Sequence, residues 1–163
     1  MAAEPVKIGL IGGRRGRPKD IDVNEMPGYL INIEIWSSAD GSGTGGVISG
    51  IRFTYKDNHG IEHTVPSEDG CWGTMDGNYN KFTVQHDDYV NKIEGSVGKA
   101  PDQDLVISSL KVDTYKGETS GTFGDPANGS AFTVPLKNAG IGAFFAAAES
   151  YLNAVGFYAC PLN

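Results

Sequence analysis

Residues 47–53 read VISGIRF, and residues 106–112 read VISSLKV. A weaker copy, YLNAVGF, occupies residues 151–157 and keeps the same apolar alternation. A small or polar residue holds the same position in all three copies: Ser49, Ser108 and Asn153. Self-similarity along a chain is typical of a repeated structural unit. The copies are unequally spaced and any two strands share a period of two, so chance similarity is the alternative. We favour three related sheets.

The sequence around these copies predicts short strands joined by turns. Residues 30–36 follow the turn residues Pro27 and Gly28 and alternate apolar and polar side chains, as a half-buried strand does. Residues 47–56 and 61–65 flank a turn at 57–60 and predict a hairpin. Residues 37–46, SSADGSGTGG, predict a mobile hairpin loop. Further strands are expected at 81–85, 89–97, 105–115, 130–134, 141–145 and 152–159. The fold class is therefore all-β.

The length and composition indicate one globular domain. The chain has 163 residues, 39% of them hydrophobic and 20% charged, which is near the globular average. Its 23 glycines exceed the usual share and fall between short apolar runs, where turns are expected. We expect a single domain over residues 1–163, with residues 1–5 flexible.

The charge and the apolar pattern exclude several partners. A net charge of −7 argues against a nucleic-acid surface, because such surfaces replace phosphate counterions with Lys and Arg. The local exception is a basic loop, Arg14 to Lys19, which could contact phosphates but is interpreted as a solvated loop. No stretch approaches a membrane span and MAAEPVKIG lacks a signal-peptide core, so we expect no membrane insertion and a cytoplasmic or nucleocytoplasmic location.

The reactive side chains form no recognisable motif. Cys71 and Cys160 are far apart without CxxC or His spacing, which predicts free thiols and neither a metal nor a cofactor. The three histidines, His59, His63 and His86, have acids nearby, but no GxSxG, HExxH or P-loop sequence occurs. We therefore expect a binding protein and not an enzyme.

Several motifs, in order along the chain, resemble the jacalin-related lectins, and specifically the cytoplasmic mannose-binding branch of monocot plants. Residues 7–16, KIGLIGGRRG, resemble the opening glycine loop, usually GPWGGNGG. Residues 90–111 are similar to a paired-strand segment, and residues 121–135 resemble the YGxxxGTPFxxPV stretch. Residues 143–158 resemble the closing GFFGRSGxxLDAIGFY. The resemblance implies a β-prism of three four-stranded Greek-key sheets around a pseudo-threefold axis.

The resemblance also implies a sugar site between the opening glycine loop and a closing GxxxD turn. That turn reads ESYLN here, and the ligand-binding residues it implies are Gly16, Glu149, Ser150, Tyr151, Leu152 and Asn153. The backbone donors fall on Tyr151 and Leu152, and Tyr151 could also stack on a sugar. Asn153 takes the place of the family's carboxylate and so lacks charge assistance. Glu149 replaces a glycine and would resist positive φ.

The three residues before this turn also differ from the family. Ala146, Ala147 and Ala148 replace Gly-Arg-Ser, and they have high helix propensity where a turn is needed. Because of these changes we expect weakened affinity or altered specificity. Ser49 and Ser108 also lack carboxylates, so the additional sites known in some relatives are not expected.

The resulting expectation is a lectin for mannose or glucose type glycans and glycoproteins, with a role in plant stress or defence. Each site would bind weakly, with a Kd near millimolar, which corresponds to a binding free energy of about −4 kcal/mol. A homodimer would raise the avidity by presenting several sites together. The alternative is a β-prism protein-interaction module with a degenerate sugar site, in which the basic loop would contact a partner.

Overall fold

A computed structural model describes residues 4–38 and 46–162 of the chain. The expected flexible start at residues 1–5 and the expected mobile loop at 37–46 therefore lie largely outside the described residues. Within the described ranges the chain forms strands and no helix, and so has no helix that is long and apolar enough to cross a membrane.

The described chain contains thirteen strands. They are β1 Val6–Gly12, β2 Arg17–Lys19, β3 Pro27–Ser38, β4 Val47–Asp57, β5 Glu62–Val65, β6 Trp72–Gly73, β7 Asn78–Thr83, β8 Val90–Ala100, β9 Gln103–Thr114, β10 Phe123–Gly124, β11 Ser130–Pro135, β12 Ala139–Ala148 and β13 Leu152–Pro161. Every strand predicted from the sequence is present, with ends that differ by a few residues.

The strands form three antiparallel sheets. Sheet I has the order β1-β13-β12-β2, sheet II has β5-β4-β3-β7, and sheet III has β10-β9-β8-β11. In sheet III the strands β8, β9 and β10 lie side by side and β11 returns beside β8, which is the Greek-key arrangement. In sheet II the strands β3, β4 and β5 lie side by side and β7 returns beside β3 in the same way. Sheet I has the same arrangement, but its strands come from both ends of the chain. The predicted all-β prism is confirmed.

Sheet II differs from the expected four strands because it contains five. One edge of β4 is shared by two short strands: residues 53–56 pair with β5, while Gly50 and Ile51 pair with β6. Pro66 directly follows β5, and a proline cannot donate a hydrogen bond to a neighbouring strand. The edge strand therefore stops at Val65 and resumes at Trp72.

The three sequence copies lie in equivalent places. Apart from Tyr151, they lie within β4, β9 and β13, each in a different sheet. In each sheet the carbonyl of the marked residue accepts a hydrogen bond from the residue after a positive-φ glycine, Gly12, Gly73 or Gly124. The three bonds are Gly13 N to Asn153 O at 2.9 Å, Thr74 N to Ser49 O at 2.9 Å, and Asp125 N to Ser108 O at 2.8 Å. The repeat is therefore structural and not chance similarity.

The core lies between the inner faces of the three sheets. Phe53 of sheet II meets Phe144 of sheet I edge to face, with ring centroids 5.3 Å apart, and also contacts Trp72. Ile93 and Leu110 of sheet III are buried in the same cluster. Edge-to-face pairs of this kind add stability beyond the area that they bury.

The alanine run Ala146–Ala148 is strand and not helix. It ends β12, between Lys19, Pro18 and Arg17 of β2 on one side and β13 on the other. Pairing on both sides satisfies the backbone and buries all three side chains, which outweighs the intrinsic helix preference of alanine. The run therefore places the start of the following turn beside the glycine loop.

Candidate functional site

The candidate site lies at one end of sheet I, where two connections meet. The glycine loop, residues 13–16, joins β1 to β2, and the closing turn, residues 149–151, joins β12 to β13. The hydrogen bond from Gly13 to Asn153 fixes the start of the loop. Gly16 adopts a φ of +93°, which suits glycine, and lies directly against the side chain of Asn153. The structure therefore brings the two predicted halves together.

Asn153 is completely buried at the junction of these halves. Its Nδ2 atom donates a hydrogen bond of 2.5 Å to Oε1 of Gln103. Its Oδ1 atom is also buried, faces Gly16, and has no hydrogen-bond partner within the described residues. Leaving a buried acceptor unpaired costs about 1–3 kcal/mol. The site thus contains an acceptor that lacks a donor.

Tyr151 and Leu152 are more enclosed than the sequence suggested. Leu152 is fully buried, and Tyr151 is half-buried against Val47, Ala100 and Val106. Burial raises the pKa of Tyr151, and a hydrogen bond with the Asp102 carboxylate raises it further. Tyr151 therefore packs at the rim and does not present a fully exposed ring for stacking.

Glu149 and Ser150 form the exposed part of the turn. The Glu149 carboxylate lies 3.5 Å from Nε of Arg17, so an ion pair crosses from the turn to the start of β2. The carbonyl of Ser150 accepts a 3.1 Å hydrogen bond from Thr74, which ties the turn to sheet II. Glu149 is not among the positive-φ positions, so the turn forms here without the backbone conformation that only glycine adopts readily.

Two residues of the site were missed by the sequence analysis. Asp102 and Gln103 lie at the tip of the β8–β9 hairpin in sheet III, yet Gln103 bonds to Asn153 of sheet I, and the Asp102 carboxylate raises the pKa of Tyr151. They are about 50 positions from their partners, and no motif marks them. The repeat could have pointed to this hairpin, because its connection corresponds to the closing turn of sheet I.

The equivalent place in sheet III is closed by side chains of the protein. Ser108 corresponds to Asn153, and its hydroxyl bonds to Ser96 at 2.6 Å and to the carbonyl of Asn128 at 2.5 Å. The amide of Asn128 in turn bonds to Gly46 and Lys99. The Ser108 hydroxyl therefore has its hydrogen-bond partners within sheet III.

Other polar groups in the described residues serve structure. His63 donates from Nε2 to Asp57 over 2.7 Å, while its Nδ1 lies 3.2 Å from Glu25. The two cysteines are free thiols, as predicted. Within residues 4–38 and 46–162 no group of three His, Cys, Asp or Glu side chains could hold a metal ion. The basic loop has Arg14 and Arg15 exposed beside the site.

A large cavity of the described residues lies elsewhere. It measures about 510 Å³ and lies near the start of β3 and the end of β4, where Tyr29, Lys56 and Glu62 line it. The candidate site is at the other ends of these strands. Cavity size therefore does not locate the site; the meeting of the glycine loop with the closing turn does.

Comparisons with known proteins agree with this architecture. A family model described as a Jacalin-like lectin domain matches residues 8–158. Horcolin of Hordeum vulgare is 34% identical over 160 residues, which cover 98% of this chain and 99% of that protein. AcmJRL, a mannose-binding jacalin-related lectin from Ananas comosus, has a solved structure that is 29% identical, with a TM-score of 0.83 and coverage of 96% of this chain and 98% of that one.

The structure of wild-type Malaysian banana lectin is 25% identical, with a TM-score of 0.78, and covers 96% of this chain and 99% of that one. The resemblance drawn from the sequence is confirmed by the family model, by Horcolin and by the shared β-prism. The match extends over nearly the whole length of the chain, and this protein belongs to the jacalin-like lectin domain family.

Proposed function

We propose that this protein is a lectin that binds mannose or glucose type glycans between the glycine loop and the closing turn. The ligand contacts would come from Gly16 and from residues 149–153. The observation that carries the proposal is the buried, unpartnered Oδ1 atom of Asn153, which faces Gly16 at the meeting point of the two segments. The mannose-binding relative from Ananas comosus supports the choice of sugar.

A hexose hydroxyl would supply the donor that Asn153 lacks. A hydroxyl can donate one hydrogen bond and accept others. It could therefore donate to Oδ1 while accepting from a backbone N–H of the closing turn. Because the amide is neutral, the bond would be weaker than one to a carboxylate, for which a charge-assisted bond contributes about 1.5–3 kcal/mol.

Access to Asn153 requires movement, because neither Leu152 nor Asn153 reaches solvent. Gly16 of the glycine loop lies against Oδ1 of Asn153, and an exposed ion pair joins Arg17, the residue after this loop, to Glu149 of the closing turn, with side chains that are 80% and 53% exposed. An exposed pair contributes about 0–1 kcal/mol, so it would open at small cost. Coupling of binding to this opening would further lower the affinity of a single site.

Weak single sites would act together through multivalency, and we propose a homodimer and glycoprotein ligands on that ground. We also propose a cytoplasmic or nucleocytoplasmic location, a role in plant stress or defence, and no catalysis. A protein-interaction module that has abandoned the sugar is not favoured, since the mannose-binding relative supports a retained sugar site.

The proposal can be tested by titrating methyl α-mannoside, with methyl α-galactoside as the comparison sugar, up to about tens of millimolar. Protein NMR should show saturable shifts at residues 13–16 and 149–153 with the mannoside. Asn153→Ala should abolish them. The matched control is Ser49→Ala, which changes the equivalent position in sheet II and should leave binding intact.

Two results would contradict the proposal. If neither sugar binds at these concentrations and Asn153→Asp restores binding, the natural site is degenerate. If mannoside shifts appear but lie away from the glycine loop and the closing turn, the protein binds the sugar at another place.

A further inference from the structure

The β8–β9 hairpin of sheet III reaches into the candidate site of sheet I. Its tip contributes Gln103, which bonds to the side chain of Asn153, and Asp102, whose carboxylate is near enough to Tyr151 to raise the pKa of its hydroxyl. Both partners belong to the segment that closes the candidate site. The hairpin is therefore a third wall of the site, beside the glycine loop and the closing turn.

The hydrogen bond between Gln103 and Asn153 fixes which end of the Asn153 amide group faces Gly16. An amide has an acceptor end and a donor end, whereas a carboxylate has two equivalent acceptors. Oε1 of Gln103 can only accept, and it receives Nδ2 of Asn153 over 2.5 Å. Oδ1 is thereby turned towards Gly16, where no other described group donates to it.

We propose that Gln103 is a positioning residue for the sugar site, which holds the Asn153 amide so that its oxygen faces the ligand. This inference rests on the proposed lectin function. With the oxygen facing inward, one hydroxyl can accept from a backbone N–H and donate to Oδ1. With the amide reversed, the same hydroxyl would meet two donors and its own proton would be unpaired, which is costly in a buried site.

The proposal explains how an asparagine serves where the resemblance leads us to expect an aspartate. Gln103 pairs with the NH₂ group of the Asn153 amide and leaves its oxygen free. That oxygen can then accept a hydrogen bond from the ligand, as one oxygen of a carboxylate would. The pair Asn153 and Gln103 together would thus do what one carboxylate does alone, without burying a charge.

A double-mutant cycle tests the role of Gln103. Methyl α-mannoside affinity is measured for the natural chain, Gln103→Ala, Asn153→Asp and the double variant. Gln103→Ala should weaken binding about fivefold in the natural background, as the loss of one hydrogen bond implies. In the Asn153→Asp background it should change affinity less than about twofold, because both carboxylate oxygens accept. Gln103→Glu keeps an acceptor and should retain most of the affinity.

A second measurement needs no ligand. The Nδ2 protons of Asn153, assigned by NMR, should exchange slowly with solvent in the natural chain and at least about tenfold faster in Gln103→Ala, since a buried hydrogen bond protects them. Thermal unfolding of each variant checks that the fold is intact.

The outcomes separate the two proposals. Equal losses of affinity in both backgrounds, a gain of affinity in Gln103→Ala, or unchanged exchange of the Nδ2 protons would overturn the positioning role. If no variant binds the mannoside, the lectin proposal fails for the natural site. The exchange measurement then still decides whether Gln103 orients Asn153.

Discussion

A Cβ atom on Gly16 would lie 2.7 Å from Oδ1 of Asn153 and 2.8 Å from the backbone nitrogen of Ala148. Such distances are too short for a carbon atom, and the φ of +93° at Gly16 is itself unfavourable for any residue with a side chain. Gly16 therefore lies so close to Asn153 and to the backbone of β12 that it cannot carry a side chain without displacing them.

Gly16→Ala should lower the free energy of unfolding by about 2–4 kcal/mol, because positive-φ strain and overpacking add together. It should also weaken mannoside binding more than about tenfold. Gly117→Ala is the matched control, since Gly117 has a φ of +89° and no atom within 4 Å of its Cβ position. Gly117→Ala should lower the free energy of unfolding by about 1–2 kcal/mol and leave mannoside binding unchanged. Urea unfolding measures the loss of unfolding free energy in each variant. Equal losses in Gly16→Ala and Gly117→Ala would show that the contact with Asn153 does not affect stability.

The basic loop should not contribute to binding of a neutral sugar. Arg14 and Arg15 are exposed and form no ion pair within the described part of the chain. Changing both to Gln should leave methyl α-mannoside affinity within about twofold, at low salt and at about 0.5 M salt alike. Lys137→Gln, at an exposed position in the connection between β11 and β12, is the control for the loss of a positive charge elsewhere on the surface. A loss beyond about threefold would mean that a guanidinium contacts the sugar.

Asp57 should make stability depend on pH in the acid range. A hydrogen bond from His63, followed by backbone N–H groups of Ile61 and His59, lowers the pKa of Asp57 from 3.8 to about 2. Because the folded pKa lies below the unfolded one, the stabilisation is present above pH 4 and is lost as the pH falls from about 4 to about 2.

Asp57→Asn should therefore be less stable than the natural chain at pH 7, and the difference should shrink below about pH 4. Urea unfolding between pH 7 and about pH 2 measures it. The control is Asp104→Asn, at an exposed position whose side chain forms no hydrogen bond in the structure as described. A difference that persists undiminished at about pH 2 would contradict this account.

Asn128 should be a structural residue of sheet III. Its amide accepts from the Lys99 nitrogen at 3.1 Å and donates to the carbonyls of Gly46 and Lys99 at 3.0 and 2.9 Å. Asn128→Ala should lower the free energy of unfolding by about 2 kcal/mol, because several partly exposed hydrogen bonds are lost. Asn24→Ala, at an exposed position, should cost little. Mannoside binding at sheet I should be unchanged, and a loss there would show coupling between the two sheets.

The sequence predicted the sheets well because each strand carries its own signal. The period-two pattern of β4, β9 and β13 was visible without a structure, and so was their similarity. It could not show that Ala146–Ala148 would be strand, since their neighbours in β2 and β13 come from distant parts of the chain and override local preference. The resumption of the edge strand at Trp72 was not predicted, because it depends on pairing with Gly50 and Ile51 of β4.

The candidate site was predicted only in part. The glycine loop and the closing turn were found because short motifs mark them. The burial of Asn153, the acceptor facing Gly16 and the bond to Gln103 depend on how sheet III packs beside sheet I. Such contacts between side chains distant in sequence have no local pattern, so they could not be read from one chain.

The arrangement of sheet I has a consequence for how the protein is made. Sheets II and III are each continuous in sequence, from Pro27 to Thr83 and from Val90 to Pro135, whereas sheet I joins Val6–Lys19 to Ala139–Pro161. During synthesis the first two sheets can form as they leave the ribosome, but β1 and β2 must wait for β12 and β13. Closing so long a loop is slow, so sheet I, with the candidate site at its end, is completed last, after the other two sheets have formed.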